Sequence, residues 1–88
     1  MLEKTITITN RAGIHARPAS LIVEKTKDLK SSIYFEHGES RINAKSILGI
    51  ITLGAAYNSE IKIITEGEDE AEALSTIVHL FESKFEED

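Results

Sequence analysis

The segment Gly13-Ile14-His15-Ala16-Arg17-Pro18-Ala19-Ser20 marks the place where a turn passes into the first helix of the chain. Glycine gives the backbone the freedom that a sharp turn needs, and proline is tolerated in the first turn of a helix, where its missing N–H costs nothing. The first N–H groups of a helix lack acceptors within the helix and carry partial positive charge. The segment therefore predicts that His15 and Arg17 lie beside a site suited to an anion such as phosphate.

The pair His15 and Arg17 also indicates a type of chemistry. A neutral imidazole is nucleophilic near pH 7. A phosphoryl group on one of its ring nitrogens would be held by a labile P–N bond, which suits a group that must be passed on. Helix N–H groups and the Arg17 guanidinium could stabilise the phosphoryl oxygens by charge-assisted hydrogen bonds. A lone histidine beside a helix start is more often an ordinary surface residue, so the assignment depends on the whole segment.

Hydrophobic periodicity on both sides of this segment predicts the remaining elements. Isoleucine and threonine alternate along residues 3–9, which is typical of a half-buried strand. Strands are predicted over residues 3–9, 31–36, 40–43 and 60–66, and helices over 16–27, 47–53 and 69–85. The order βαββαβα favours an α+β fold of the open-faced β-sandwich type. We expect a four-stranded antiparallel sheet with three helices on one face and the other face open to water.

Two of the predicted helices carry further signals. Ser46 is a good N-cap for the second helix, and Gly54 is a good residue to end it. This short helix is apolar nearly all round, so some of its apolar side chains must face outward. In the last helix, apolar residues recur at intervals of three and four and predict the side that faces the core. These residues are Ala71, Leu74, Val78, Phe81 and Phe85.

Composition and charge limit the classes of function. The 88 residues carry a formal net charge of −5, which argues against non-specific nucleic-acid binding. There is no cysteine, so disulfides and thiolate metal sites are excluded, and no apolar stretch is long enough to span a membrane. The serines and histidines show neither a hydrolytic arrangement nor metal-ligand spacing. We expect one soluble domain over residues 1–88, without a metal or cofactor of its own.

Two segments together resemble the HPr family, the histidine-containing phosphocarriers of the bacterial sugar phosphotransferase system. Residues 13–20 look like the active-site signature of that family. Residues 43–49, Asn-Ala-Lys-Ser-Ile-Leu-Gly, continuing to Leu53 and Gly54, are similar to its regulatory signature. The resemblance implies that His15 accepts phosphate at Nδ1 from phosphorylated enzyme I and donates it to A-type domains of sugar-specific enzymes II. Arg17 would stabilise the phosphorylated state. The protein would be a carrier rather than an enzyme, with Mg²⁺ needed only by partner enzymes.

The resemblance also implies regulation and a docking surface. Ser46 would be phosphorylated by an ATP-dependent HPr kinase/phosphorylase, and the seryl-phosphorylated form could bind a catabolite-control transcription factor as corepressor. The protein would be a cytoplasmic monomer that neither binds nucleic acid directly nor inserts into membranes. Ile50 and Leu53 are assigned to the core. The partner-binding residues would be Ala16, Ser20, Leu21, Glu24, Ile47, Leu48 and Ile51.

Glu24 keeps a second hypothesis open. It is acidic where family members usually carry a neutral or basic residue, which would weaken docking to an acidic enzyme I. The alternative is a regulatory binding module in which Ser46 phosphorylation matters and transfer through His15 does not. A carrier of a nitrogen-related phosphotransferase branch is disfavoured because that branch often lacks the serine signature. An RNA-binding sheet is disfavoured because exposed strand aromatics and basic clusters are missing.

Overall fold

The computed structural model, which describes residues 1–86, contains four strands and three α-helices in the order βαββαβα. The predicted α+β fold is confirmed. The predicted domain over 1–88 also includes Glu87 and Asp88, which lie outside the described residues. The elements are β1 (Leu2–Thr7), α1 (Ala16–Thr26), β2 (Ser32–His37), β3 (Ser40–Asn43), α2 (Ile47–Leu53), β4 (Glu60–Glu66) and α3 (Glu70–Glu82), followed by a short 3-10 turn (Lys84–Glu86).

The four strands form one antiparallel sheet in the spatial order β1-β4-β2-β3. The register places Ile63 of β4 opposite Phe35 of β2, and Phe35 opposite Ile42 of β3. Because side chains on paired residues point to the same face, this row builds one apolar surface across three strands. The sheet order also places β1 and β3 at the two edges.

The core lies between this apolar surface and the helices. Each helix contributes a fully buried isoleucine, namely Ile22 in α1, Ile50 in α2 and Ile77 in α3. Phe81 of α3 contacts the ring of Phe35 edge-on, with 6.1 Å between ring centroids. Burial of these side chains supplies the main favourable term for folding. The core is therefore enclosed by the sheet on one side and by the helices on the other.

The opposite face of the sheet is mostly polar, as predicted. Glu36 and Arg41 are paired across β2 and β3, with 3.6 Å between Nη1 and Oε2. The Arg41 guanidinium also lies 4.2 Å from the ring centroid of Tyr34. Ile64 shares this face by strand alternation but is only 5% exposed. The polar face therefore contains one apolar side chain that its neighbours cover.

The prediction for α3 is partly wrong. The buried residues of this helix are Ala73, Ile77, Leu80 and Phe81, whereas Ala71 is exposed and Leu74 and Val78 are only partly buried. Both stripes have helical spacing, so periodicity alone does not distinguish them. The buried face includes Ile77 and Leu80, two large apolar residues that the predicted stripe omits. The start of the helix is tied to the loop between α1 and β2, since Asp69 accepts hydrogen bonds from the backbone N–H groups of Lys30 and Ser31, each at 2.8 Å.

The end of α3 also differs from the prediction. The helix ends at Glu82, and Lys84 and Phe85 adopt positive φ angles of 53° and 54°. This left-handed turn brings Phe85 back against Phe81, with 4.8 Å between ring centroids. Phe85 is buried, as predicted, but by a turn of the chain rather than by continuation of the helix. Burial of a phenyl ring compensates for the unfavourable backbone conformation.

Smaller differences concern the first two strands. β1 spans Leu2–Thr7 rather than residues 3–9, and β2 spans Ser32–His37 rather than 31–36. Ile8 lies beyond the ladder with β4, yet its side chain is buried and its backbone exchanges hydrogen bonds with the loop before β4. Its N–H donates to the Ser59 carbonyl at 2.9 Å and its carbonyl accepts from Asn58 at 2.8 Å.

Candidate functional site

The turn before α1 is held against the loop that follows α2. Gly13 has a φ of +71°, and its N–H donates to the Asn10 carbonyl at 3.0 Å. A Cβ at Gly13 would lie 3.0 Å from the Ala55 carbonyl oxygen and 3.2 Å from the Ala56 Cα. The N–H of Ile14 donates to the same Ala55 carbonyl at 3.1 Å. Glycine is therefore required here both by the backbone conformation and by the close approach of the loops.

His15 is the N-cap residue of α1. Its backbone is extended, with φ −111° and ψ −166°, and its side chain is exposed. The first helical hydrogen bond runs from the Ala19 N–H to the His15 carbonyl at 3.0 Å. The N–H groups of Ala16 and Arg17 precede that bond and have no acceptor within the helix. His15, these N–H groups and the exposed Arg17 thus all belong to the start of α1, at the positive end of the helix dipole.

Four residues of α1 share the face that continues from His15. Arg17, Ser20, Leu21 and Glu24 follow each other at the spacings i, i+3, i+4 and i+7, which places them on one side of a helix. Arg17, Ser20 and Glu24 are exposed, and Leu21 is partly buried against the core. Ala16, beside His15, is exposed as well. The structure thus brings the predicted α1 residues together on the surface.

Ser46 is the N-cap residue of α2, as predicted. The Ser46 Oγ accepts a hydrogen bond from the Gly49 N–H at 3.0 Å, and Gly54, in the left-handed conformation, is the C-cap residue. Ile50 and Leu53 are buried, as predicted. The other large apolar side chains of α2 are exposed, and α1 and α2 pack against each other. The exposed fractions are 40% for Ile47, 71% for Leu48 and 41% for Ile51.

Two residues near the site were not predicted from the sequence. Tyr57 is 53% exposed, and its backbone N lies 3.5 Å from the position that a Cβ of Gly13 would occupy. Asn10 is only 1% exposed, and its Nδ2 donates a hydrogen bond to the Gly13 carbonyl. Asparagine at the start of a turn often forms a hydrogen bond from its side chain to the nearby backbone, so that bond has a sequence signal. The burial of the turn against the loop after α2 has none.

The site is a surface rather than a pocket. A cavity of about 350 Å³ is lined instead by Lys25, Ser75, Thr76, His79 and Leu80 of α1 and α3. Within residues 1–86, acidic residues and histidines form no cluster of three or more that could hold a metal ion. In the same part of the chain, none of the helices has the length and apolar character needed to cross a membrane.

The chain is similar over nearly its whole length to known phosphocarrier proteins. A family profile described as "PTS HPr component phosphorylation site" matches residues 2–83. The phosphocarrier protein HPr of Treponema pallidum is 47% identical over 88 residues, which is 100% of each chain. The crystal structure of HPr-C-His from Thermoanaerobacter tengcongensis has a TM-score of 0.95 at 45% identity, covering 100% of this chain and 99% of that one. The crystal structure of Crh, the catabolite repression containing protein of Bacillus subtilis, has a TM-score of 0.76 at 31% identity, covering 96% and 97%.

Proposed function

The chain belongs to the HPr family of phosphocarrier proteins of the phosphotransferase system, and from this premise we propose that His15 is the residue that carries the phosphoryl group. Its Nδ1 accepts the group from phosphorylated enzyme I and passes it to A-type domains of enzymes II. In each transfer, the bond from the donor to phosphorus breaks as the bond to the accepting nitrogen forms. The protein is a substrate and donor for these partners rather than an enzyme.

The observation that carries this proposal is the position of His15 at the exposed start of α1. The adjacent N–H groups of Ala16 and Arg17 and the Arg17 guanidinium supply positive charge where the phosphoryl oxygens would lie. Such groups stabilise the phosphorylated state without enclosing it. An open site also suits a carrier, because two different partners must reach the same atom.

The exposed apolar side chains of α2 support a docking surface beside this site. Ile47, Leu48 and Ile51 with Leu21 of α1 offer apolar contact, while Ala16 and Ser20 leave room for a partner close to His15. A docking surface built on these four apolar side chains favours a transient complex, which suits repeated transfer. Glu24 lies at the margin of the surface. Its carboxylate is expected to weaken binding to an acidic partner and to favour one with a complementary basic group.

We further propose that Ser46 regulates the carrier. An HPr kinase/phosphorylase would phosphorylate its hydroxyl, and the added negative charge beside Ile47 and Leu48 would hinder enzyme I. The similarity to Crh, described as a catabolite repression protein, supports a further role of the seryl-phosphorylated form as corepressor of a transcription factor. Transfer between phosphotransferase partners would take place in the cytoplasm with the carrier as a monomer, without direct contacts to nucleic acid.

Incubation with enzyme I, Mg²⁺ and phosphoenolpyruvate tests the proposal. We expect an acid-labile, hydroxylamine-sensitive phosphoryl adduct on the wild-type protein. The adduct should be absent from His15→Ala and present in His79→Ala, a control that removes another exposed histidine. Failure of the wild-type protein to form the adduct, or persistence of the adduct in His15→Ala, would contradict the assignment. Labelling by a kinase at Ser46 without any labelling at His15 would instead favour the regulatory module.

A further inference from the structure

The buried amide of Asn10 has no part in the transfer described above. Asn10 is 1% exposed and lies in the turn that leads to His15. Its Nδ2 donates to the Gly13 carbonyl, and its own carbonyl accepts from the Gly13 N–H at 3.0 Å. The two hydrogen bonds close the turn from both sides. This residue therefore determines the direction in which the chain leaves the turn toward α1.

The peptide group between Gly13 and Ile14 is held at both of its polar atoms. Asn10 binds the carbonyl oxygen, and the Ala55 carbonyl accepts the N–H at 3.1 Å. A peptide group is planar, so fixing both atoms fixes the orientation of the plane. Ile14 is also buried, with 6% exposure. The orientation of the Gly13–Ile14 peptide group is thus fixed just before His15. On the other side of His15, its carbonyl accepts the first hydrogen bond of α1.

Of the two polar atoms of the Asn10 amide, only Nδ2 holds the turn. Its Oδ1 is buried and has no hydrogen-bond partner within residues 1–86. A small apolar residue at this position would leave the carbonyl of the buried Gly13 without the Nδ2 donor, so the amide is needed for that bond. A buried amide that holds the turn leading directly to the transferring residue points to a role in positioning.

We propose that Asn10 is a positioning residue for phosphoryl transfer at His15. Its amide holds the Gly13–Ile14 peptide so that the imidazole is presented to both partners in one orientation. The proposal rests on the proposed function of His15. Transfer requires the accepting nitrogen, the phosphorus atom and the leaving atom to be aligned, and a misplacement of about 1 Å can cost 10²-fold in rate.

Kinetics of phosphoryl acceptance from enzyme I test this role. We expect Asn10→Ala and the isosteric Asn10→Asp, which lacks the Nδ2 donor, to lower kcat about tenfold with little change in the KM for the carrier. Thr65→Val is the matched control. It removes another buried side-chain hydrogen bond, from the Thr65 Oγ1 to the Glu70 carbonyl at 3.0 Å, but far along the chain from the turn. This control should lower thermal stability and leave kcat unchanged.

Amide hydrogen exchange gives a readout that does not require enzyme I. In both Asn10 variants the Ile14 N–H should exchange faster, while core amides such as that of Ile63 keep the wild-type rate. Wild-type kcat in a folded Asn10 variant, or a rise in KM alone, would overturn the proposal. So would loss of folding in both variants, which would make the role structural. If the wild-type protein accepts no phosphoryl group, the proposed function of His15 fails instead, whatever the exchange data show.

Discussion

At the scale of single residues, two neighbours in α2 show how the site and the core are divided. Leu48 is 71% exposed, whereas Ile50, two positions later, is fully buried. Both side chains are large and apolar, so hydrophobicity alone does not separate them. In a helix, successive residues are rotated by about 100°, and this rotation directs Ile50 to the core and Leu48 to the surface. We infer that Leu48 serves docking and Ile50 serves stability.

Alanine substitutions at these two positions should therefore affect different quantities, the KM at Leu48 and the free energy of unfolding at Ile50. Leu48→Ala should raise the KM for the carrier in the enzyme I reaction about fivefold, which corresponds to roughly 1 kcal/mol of lost docking energy. Its free energy of unfolding should change by less than about 0.5 kcal/mol. Ile50→Ala should lower that free energy by about 2–5 kcal/mol. Steady-state kinetics and urea denaturation provide the measurements, and an unchanged KM for Leu48→Ala would remove this residue from the docking surface.

At the scale of elements, α2 is a short helix that depends on its caps. Its seven residues are too few to be stable alone. The hydrogen bond from the Gly49 N–H to the Ser46 Oγ satisfies one of the donors at its start. The same hydroxyl is the proposed site of phosphorylation. Capping and the proposed regulation therefore share one atom, and substitutions of Ser46 can separate them.

Ser46→Ala should lower the free energy of unfolding by about 1 kcal/mol because the cap is lost. Ser46→Asp keeps a capping acceptor, so its stability should remain close to that of the wild-type protein. Its negative charge should nevertheless slow phosphoryl acceptance from enzyme I. Urea denaturation and the phosphorylation assay measure the two effects.

A kinase assay completes the test of Ser46. An HPr kinase with ATP should label the wild-type protein and Thr52→Ala, which removes the other side-chain hydroxyl of α2, but not Ser46→Ala. Labelling of Ser46→Ala would place the regulatory site elsewhere. Wild-type transfer rates for Ser46→Asp would show that charge at this position does not regulate docking.

At the scale of the whole molecule, Asp69 connects parts of the chain that are far apart in sequence. Its carboxylate accepts hydrogen bonds from the backbone N–H groups of Lys30 and Ser31 and from the Ser31 hydroxyl. These bonds tie the loop between α1 and β2 to the start of α3. The hydrogen bond from the Ser31 hydroxyl is the main cause that lowers the pKa of Asp69 from 3.8 to about 2.

Acid should weaken the protein through this group. The folded-state pKa of Asp69 lies below its ordinary value, so the unfolded chain binds more protons as the pH falls below about 4. The stabilisation is complete above that pH and is lost as the pH falls toward 2. We expect the stability difference between wild-type protein and Asp69→Asn to be larger at pH 6 than at pH 3.

Urea denaturation at both pH values measures this difference. Glu68→Gln is the control, since Glu68 and its partner Lys30 are both largely exposed, with 3.4 Å between the charged atoms. An exposed ion pair of this kind contributes little, so the control should match the wild-type protein at both pH values. A difference between wild-type protein and Asp69→Asn that does not depend on pH would contradict the role assigned to the Asp69 carboxylate.

The amino-acid sequence by itself determined the kind and order of the elements and the two helix starts of the site. Alternation along β1 and β4 and helical spacing along α1 are properties of neighbouring residues. The positions of His15 and Ser46 follow from capping chemistry that acts over three or four residues. These signals are local, so they can be read without knowing which distant segments meet.

Tertiary structure alone decided which of two equally periodic faces α3 buries, how the chain turns at Phe85, and that Asn10 and Ile64 are buried. These features depend on packing and hydrogen bonds that the pattern of a single element does not contain. Asp69 is bonded to Ser31, Phe85 packs on Phe81 after a left-handed turn, and the turn containing Asn10 closes against Ala55. Burial is a property of the assembled surfaces, because it is the removal of a side chain from water by all its neighbours together.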